Sequence, residues 1–398
     1  MIKNIAVLLK TYPKLSIVVF NLFLFFIMDF IGTKIYFSKN KKKLHAGIVL
    51  GKEDPVYHHG FIENGKFEAE YNVYTNSLGF KDSEVRYVDR GNKGRRILFM
   101  GDSFTEGVML PWDSTFVGMI SNSLKGNEIE VLNAARASYS PLLYWKKINY
   151  FIEKKGLKVT DIIIFLDISD VEDEVIYKSF ENTLRVKKPD HKPLEKKLKT
   201  TKLAKDIKNQ ASKNLYHYFH KILKNNLFIT YNILGAMDDV RDFNQYPSEV
   251  KFLRRLGPNK PKHLQKNYFR GNWMLQTEKT WKTKTDEGLS LMRKNIKKII
   301  SLSQKRDINI AIAIYPWPGQ IIYDNSESLY VKYWEDFCYK HDIPFLNLFP
   351  NFLDFRKNGL SKNEIIKKFY IENDVHFNRI GNQIISDRFI DFFLKNYN

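Results

Sequence analysis

Ser103 stands in the run Arg95-Arg96-Ile97-Leu98-Phe99-Met100-Gly101-Asp102-Ser103-Phe104-Thr105-Glu106-Gly107, and near the other end of the chain Asp374 and His376 lie two positions apart. A serine hydroxyl becomes a nucleophile when an imidazole takes its proton. A carboxylate behind the imidazole fixes the tautomer and stabilises the imidazolium. These residue types point to acyl transfer through an acyl-enzyme, chemistry that calls for neither a metal nor an organic cofactor. Gly-Asp-Ser alone also makes ordinary turns and helix caps. The elements around it have to decide.

Arg96–Met100 is an apolar run long enough for one buried strand, and it breaks at Gly101 to deliver Asp102 and Ser103 where a helix should begin. Strand, tight turn, serine, helix is how an α/β enzyme exposes a hydroxyl above a parallel sheet. The helix start adds free N–H groups where an oxyanion would develop. Further strands are expected at Glu130–Asn133, Asp161–Leu166, Ile308–Ile314 and Pro344–Leu348. Helical patterns at Thr115–Leu124, Leu142–Lys154, Thr285–Gln304, Leu329–His341 and Gly381–Leu394 lie between and after them. The alternation predicts an α/β fold, a three-layer α/β/α sandwich around a central parallel sheet. Such sheets place their chemistry outside the carboxyl ends of the strands. Asp102, Arg136, Asp170 and Trp317 fall just past strand ends and are candidates for lining a substrate pocket.

In combination these blocks resemble the SGNH or GDSL-type hydrolases, from about residue 80 to the end with a large interruption. The first block matches through Gly101-Asp102-Ser103-Phe104-Thr105-Glu106-Gly107. The second, usually Asn-x-Gly-x-x-Gly, stands as Asn133-Ala134-Ala135-Arg136-Ala137-Ser138, so Ser138 takes a glycine's place. The third, usually Gly-x-Asn-Asp, stands as Asp167-Ile168-Ser169-Asp170, with Ser169 in place of the asparagine donor. Many members carry Asp-x-x-His, which would put the acid at Asn373. This chain instead resembles the Asp-x-His-x-Asn-x-x-Gly version of alginate O-acetyltransferase-like relatives, through Asp374, His376, Asn378 and Gly381. The resemblance implies a flavodoxin-like fold, a Ser103–His376–Asp374 triad, and an oxyanion held by the Ser103 and Ser138 N–H groups with the Ser169 side chain.

The remaining chain sets the context. Residues 1–14 form a tail, and 15–32 a nearly continuous apolar run broken only by Asn21 and Asp29. At 1.5 Å per residue that run meets the lower limit for crossing a bilayer of about 30 Å. No small-residue cleavage site follows, which favours a retained signal anchor. Lys34, Lys39 and Lys41 to Lys43 after the run outweigh Lys3, Lys10 and Lys14 before it, so a simple charge count leans towards a cytoplasmic domain. The family's habit of working on envelope substrates implies the opposite: a single-pass cytoplasmic membrane protein with a periplasmic catalytic domain. Residues 33–82 read as a linker with irregular chain and short strands, and 83–398 as the hydrolase domain with an insertion at 172–281. His58 and His59 are adjacent, without a spaced partner carboxylate, and read as surface or packing residues.

A net charge of +20 over 398 residues is compatible with anionic partners, yet no nucleic-acid fold signature is present. Much of the charge lies in a lysine-rich first half of the insertion, Lys178 to Lys224, with an amphipathic helical stretch from Leu194 to Leu223. It reads as a solvated helical insertion, with a basic cap touching anionic lipid or an acidic glycan as the alternative. The single cysteine, Cys338, rules out an internal disulfide. The expected function is a membrane-anchored serine esterase acting on an acyl ester, O-acetyl among them, of a cell-envelope glycan or lipid. One rival keeps the triad and passes the acyl group to a sugar hydroxyl, which an acetyl-release against acetyl-transfer assay would separate. The other is an inactive binding module, motivated by the altered second and third blocks.

Overall fold

The computed structural model describes residues 11–39, 46–92, 94–183, 227, 230, 285–325, 327–372 and 374–397. Most of the insertion, including the Leu194–Leu223 stretch, and Asn373 lie outside them. The chain falls into two compact units, residues 1–44 with 189–256, and residues 45–188 with 257–398.

In the first unit, helix α1 (Pro13–Lys39) contains Ile17–Ile35, 19 residues of mean hydropathy 1.9, long and apolar enough to cross a membrane. Its polar interruptions are hydrogen-bonded. Asn21 Nδ2 donates to the Ile17 carbonyl at 2.8 Å. Asp29 accepts from the Thr33 hydroxyl at 3.2 Å, and from the Thr230 N–H and hydroxyl at 2.8 and 2.7 Å.

In the second unit a hairpin, β1 (Gly51–Asp54) and β2 (His58–Phe61), precedes an eight-stranded sheet. The sheet comprises β3 (Lys66–Glu68), β4 (Asn72–Thr75), β5 (Lys81–Asp82), β6 (Arg96–Met100), β7 (Glu130–Asn133), β8 (Asp161–Leu166), β9 (Asn309–Ile314) and β10 (Phe345–Asn347). The spatial order is β10-β9-β8-β6-β7-β5-β4-β3. The run β10 to β7 is parallel, and β5, β4 and β3 add antiparallel strands beyond β7. Taken by themselves the parallel strands follow the flavodoxin-like 2-1-3-4-5 order, whose switch point lies between β6 and β8. The expected irregular segment before residue 83 therefore contributes three strands to the same sheet. Lys81 explains part of that attachment. Its buried ammonium donates to the carbonyls of Gly107 at 2.8 Å and Leu110 at 2.7 Å, and burial pushes it down to about 8.

Among the described helices are α2 (Ser103–Glu106), α3 (Phe116–Leu124), α4 (Pro141–Asn149), α5 (Asp170–Thr183), α6 (Asp286–Arg306), α7 (Pro318–Tyr323), α8 (Leu329–Lys340), α9 (Lys362–Phe369) and α10 (Arg379–Tyr397). Leu289, Met292, Ile296, Ile299 and Ile300 of α6 recur at helical spacing and are all buried. On α10 the buried face is Ile385, Phe389 and Phe393, with the Phe389 ring 5.1 Å from Phe99 of β6. Truncating such a core aromatic to alanine costs about 3–5 kcal/mol. Leu142–Lys154, expected as one helix, is α4 followed by a π-helical turn at Tyr150–Lys154.

Candidate active site

The corner that carries Ser103 is built by steric necessity. A Cβ on Gly101 would lie 2.1 Å from the Thr105 hydroxyl and 3.2 Å from the Phe165 carbonyl, so only glycine lets β6 turn directly into α2. Asp102 then caps α2 by accepting the Phe104 N–H at 2.9 Å. Ser103 is left half-buried at the first helical position.

The histidine comes from a loop tied down on both sides. An isolated bridge pairs Tyr370 with Phe377, and the Asp374 N–H donates to the Ile371 carbonyl at 3.0 Å. Asn378 Oδ1 accepts from the N–H groups of Ile380 at 2.9 Å and Gly381 at 3.0 Å, which starts α10. A Cβ at Gly381 would meet the Phe369 carbonyl at 2.3 Å. The Asp-x-His-x-Asn-x-x-Gly spacing thus joins the Asp374–His376 hydrogen bond to a helix cap. His376 Nδ1 is hydrogen-bonded to Asp374 Oδ1, which also accepts the His376 N–H at 3.0 Å. His376 Nε2 lies 2.8 Å from Ser103 Oγ. The Phe104 ring, 4.8 Å away, packs on the imidazole. Burial alone would raise the Asp374 carboxyl, but hydrogen bonds from the His376 side chain and backbone outweigh it and hold it below its ordinary value.

After β7 the chain makes a turn closed by Tyr139 N–H to the Arg136 carbonyl at 3.1 Å, with Ser138 exposed at φ +62°. That left-handed conformation costs a non-glycine residue about 1–2 kcal/mol. The turn is clamped. Glu106 Oε2 accepts both Ala137 N–H and Arg136 Nη1, each at 2.7 Å. Burial alone would raise Glu106, yet the Arg136 guanidinium, the Ala137 N–H and Lys81 hold it down. Arg136, expected in a substrate pocket, is instead buried. It pairs with Glu106, donates to the Gly47 carbonyl at 2.9 Å and lies 4.0 Å over the Phe61 ring.

His59 holds the other side of the turn. Its Nε2 is 2.8 Å from the Ala137 carbonyl, and its Nδ1 is 2.8 Å from His58 Nδ1. The Tyr139 hydroxyl donates to the His59 carbonyl. Burial pushes the His59 imidazole down to about 4 despite the Ala137 hydrogen bond, with His58, Arg136 and Lys147 adding to the fall. A neutral imidazole has one N–H, and a carbonyl can only accept. The proton therefore sits on Nε2, and His58 donates to the bare Nδ1.

Beneath the rim lies a buried cluster of Asp102, Asp167 and Asp170 with tyrosines. The Tyr315 hydroxyl is 3.0 Å from Asp102 Oδ1 and 3.2 Å from Asp167 Oδ2, and Tyr144 donates to Asp170 Oδ1 at 2.9 Å. Burial and the Asp167 carboxyl push Asp102 and Asp170 well above the usual carboxylate range. Asp102 and Asp170, expected in a substrate pocket, are thus interior groups. So is Trp317, whose ring packs 5.6 Å from Phe104 and whose backbone N–H donates to Gln320 Oε1 at 2.9 Å. Ser169 is buried too, and both its hydroxyl and its backbone N–H donate to Asp167 Oδ1 at 2.7 Å. In this arrangement its hydroxyl proton is already committed. Among the described residues no three His, Cys, Asp or Glu side chains are grouped to hold a metal ion.

Glu106, Asp167 and the His59 contact escape a reading by motif. Glu106 belongs to the first block, and its position one helical turn after Ser103 is the only local signal. For His59 there is none.

No family model matches the chain, and no curated protein matches it. Among solved structures it is similar to a member of the lipolytic protein G-D-S-L family from Veillonella parvula DSM 2008, at 11% identity and TM-score 0.37, over 76% of this chain and 99% of that one. It is also similar to the acetyl xylan esterase AlAXEase, at 13% identity and TM-score 0.38, over 74% and 98%. A third is the psychrotrophic esterase EstA from Pseudoalteromonas sp., at 11% identity and TM-score 0.36, over 76% and 97%. What the site can do follows from its own geometry.

Proposed function

We propose that the protein is a serine esterase that works through an acyl-enzyme on Ser103. The observation that carries this is the continuous chain from Ser103 Oγ to His376 Nε2 at 2.8 Å and from His376 Nδ1 to Asp374. Ser103 attacks the acyl carbon, His376 takes the hydroxyl proton and returns it to the leaving alkoxide, and Asp374 stabilises the imidazolium. Water activated by His376 then releases the acid.

One proton count favours productive geometry. Ser103 Oγ also lies 3.2 Å from Asp102 Oδ2, and a serine has a single proton to give. His376 Nε2, at 2.8 Å, is the nearer acceptor for that proton. The Ser103 and Ser138 N–H groups, which take part in no internal hydrogen bond among the described residues, receive the developing oxyanion. Ser169 would have to give up Asp167 to add a third donor.

The α1 helix supports a membrane anchor, and with it an ester on a cell-envelope glycan or lipid as the substrate class. The test is labelling of the full chain in detergent with a fluorophosphonate, followed by a panel of short acyl esters with and without an oligosaccharide acceptor. Labelling at Ser103 with acid release supports the esterase. Acetyl transfer to sugar without acid release replaces it with a transferase, and labelling that persists in Ser103→Ala overturns the nucleophile.

A further inference from the structure

The turn that carries Ser138 has a problem that its neighbours are placed to solve. Glycine reaches a positive φ freely, and Ser138 does not. A turn with positive φ at its third position is of the type II kind, and it differs from the commoner type I by reversal of the central peptide. Here that central peptide is Ala137–Ser138. Reversing it would send the Ser138 N–H to the opposite side and put a carbonyl in its place. A serine at this position therefore weakens the preference for the orientation that a donor needs.

We propose that His59 is a positioning residue for the oxyanion donor, holding the Ala137 carbonyl so that the Ser138 N–H of the same peptide stays turned toward the reacting acyl group. The inference rests on the serine-esterase reading. In a trans peptide the C=O and N–H point in opposite directions, so fixing one fixes the other. His59 Nε2 sits 2.8 Å from that carbonyl. Its ring is held in turn by His58 Nδ1 at 2.8 Å, by the Tyr139 hydroxyl on its carbonyl, and by the Tyr139 ring at 4.9 Å. His58 is seated edge-on against Tyr177 and Phe180 of α5, each 5.1 Å away. Glu106 fixes the preceding N–H of Ala137 from the other side, so both ends of that residue are restrained. The hydrogen bond has a second consequence. A donor on the carbonyl polarises the whole peptide, because chains of hydrogen bonds strengthen one another. The Ser138 N–H becomes the better donor for it. On this account the hairpin β1–β2 supplies by contact what glycine supplies in the Asn-x-Gly-x-x-Gly block by conformational freedom.

The experiment measures kcat and KM on a short acyl ester for the full chain in detergent, with thermal unfolding checked for every variant. Ser103→Ala is run first: activity that persists in it overturns the esterase reading, and this inference with it. Given a Ser103-dependent wild type, His59→Ala is expected to lower kcat by up to ~10²-fold, below the loss of a whole oxyanion donor, with little change in KM. His59→Gln keeps an N–H near the Nε2 position and is expected to recover most of that loss. The decisive arm is the coupling to residue 138. In a Ser138→Gly background His59→Ala should cost less than ~5-fold, because glycine reaches the turn conformation unaided. A wild-type kcat in His59→Ala overturns the proposal. So does an equal loss in the wild-type and Ser138→Gly backgrounds, which would mean that His59 only supports the fold.

Discussion

Two corners of the sheet use nearly the same residues and end in different hydrogen bonding. At the β6 corner, Asp102 accepts the N–H two residues on, and the adjacent Ser103 hydroxyl faces His376 Nε2 at 2.8 Å. At the β8 corner, Asp167 likewise accepts the N–H two residues on, but the Ser169 hydroxyl donates back to Asp167 at 2.7 Å. Both corners lie at the switch point of the sheet. What separates them is the acceptor each hydroxyl meets. An imidazole removes a proton and returns it, whereas a carboxylate bond buried with its own serine only closes a turn.

The largest expected effect breaks the comparison at the hydroxyls themselves. Ser103→Ala should lower kcat on the order of 10⁶-fold, as removal of a triad nucleophile does. Ser169→Ala should cost less than about tenfold, since a lost oxyanion donor would cost about 10²–10³. A 10²-fold loss in Ser169→Ala would show that its hydroxyl leaves Asp167 and serves the oxyanion after all.

Next comes the group behind the base. Asp374→Asn should slow turnover by up to ~10⁴-fold with KM nearly unchanged, because an amide orients the ring without stabilising the imidazolium. Steady-state kinetics on the same ester decide it, and near-normal turnover would reduce the site to a Ser103–His376 dyad.

The smallest effect concerns the carboxyl cluster that joins the corners. Asp102 and Asp170 are raised by burial and by their shared neighbour Asp167, so in the folded state they keep protons that the unfolded chain has lost. Stability therefore falls as pH rises above the ordinary value of 3.8, up to the folded-state values. Asp167→Asn takes the carboxyl out of the cluster while preserving the acceptor for Ser169. It should raise Tm by about 2 °C at pH 8, with a smaller gain at pH 5. A Tm at pH 8 equal to or below that of the wild type would show that the cluster is not electrostatically strained.

Local patterns were legible without coordinates. The strand Arg96–Met100 is found with the expected bounds, and so are Glu130–Asn133 and Asp161–Leu166, because apolar runs bounded by turn residues depend only on neighbours in the chain. The helices at 285–304 and 329–341 differ by a residue or two, for the same reason. The three strands between residues 66 and 82 show in sequence only as short pieces, since their pleat is too brief to show which sheet they join.

The candidate site divides in the same way. Ser103, Asp374 and His376 could be named from residue type and spacing, and the Asn378 cap and the glycine at 381 belong to the same local motif. That His376 meets Ser103 across 273 positions, or His59 meets Ala137 across 78, is decided by how strands and helices pack. The same holds for the burial of Arg136, Asp102, Asp170 and Trp317, all placed by sequence at the carboxyl ends of strands. Sequence spacing tells on which end of the sheet a side chain emerges. Whether it then faces solvent, a base or a buried carboxylate depends on distant residues that share no local signal with it, and only the tertiary structure brings them together.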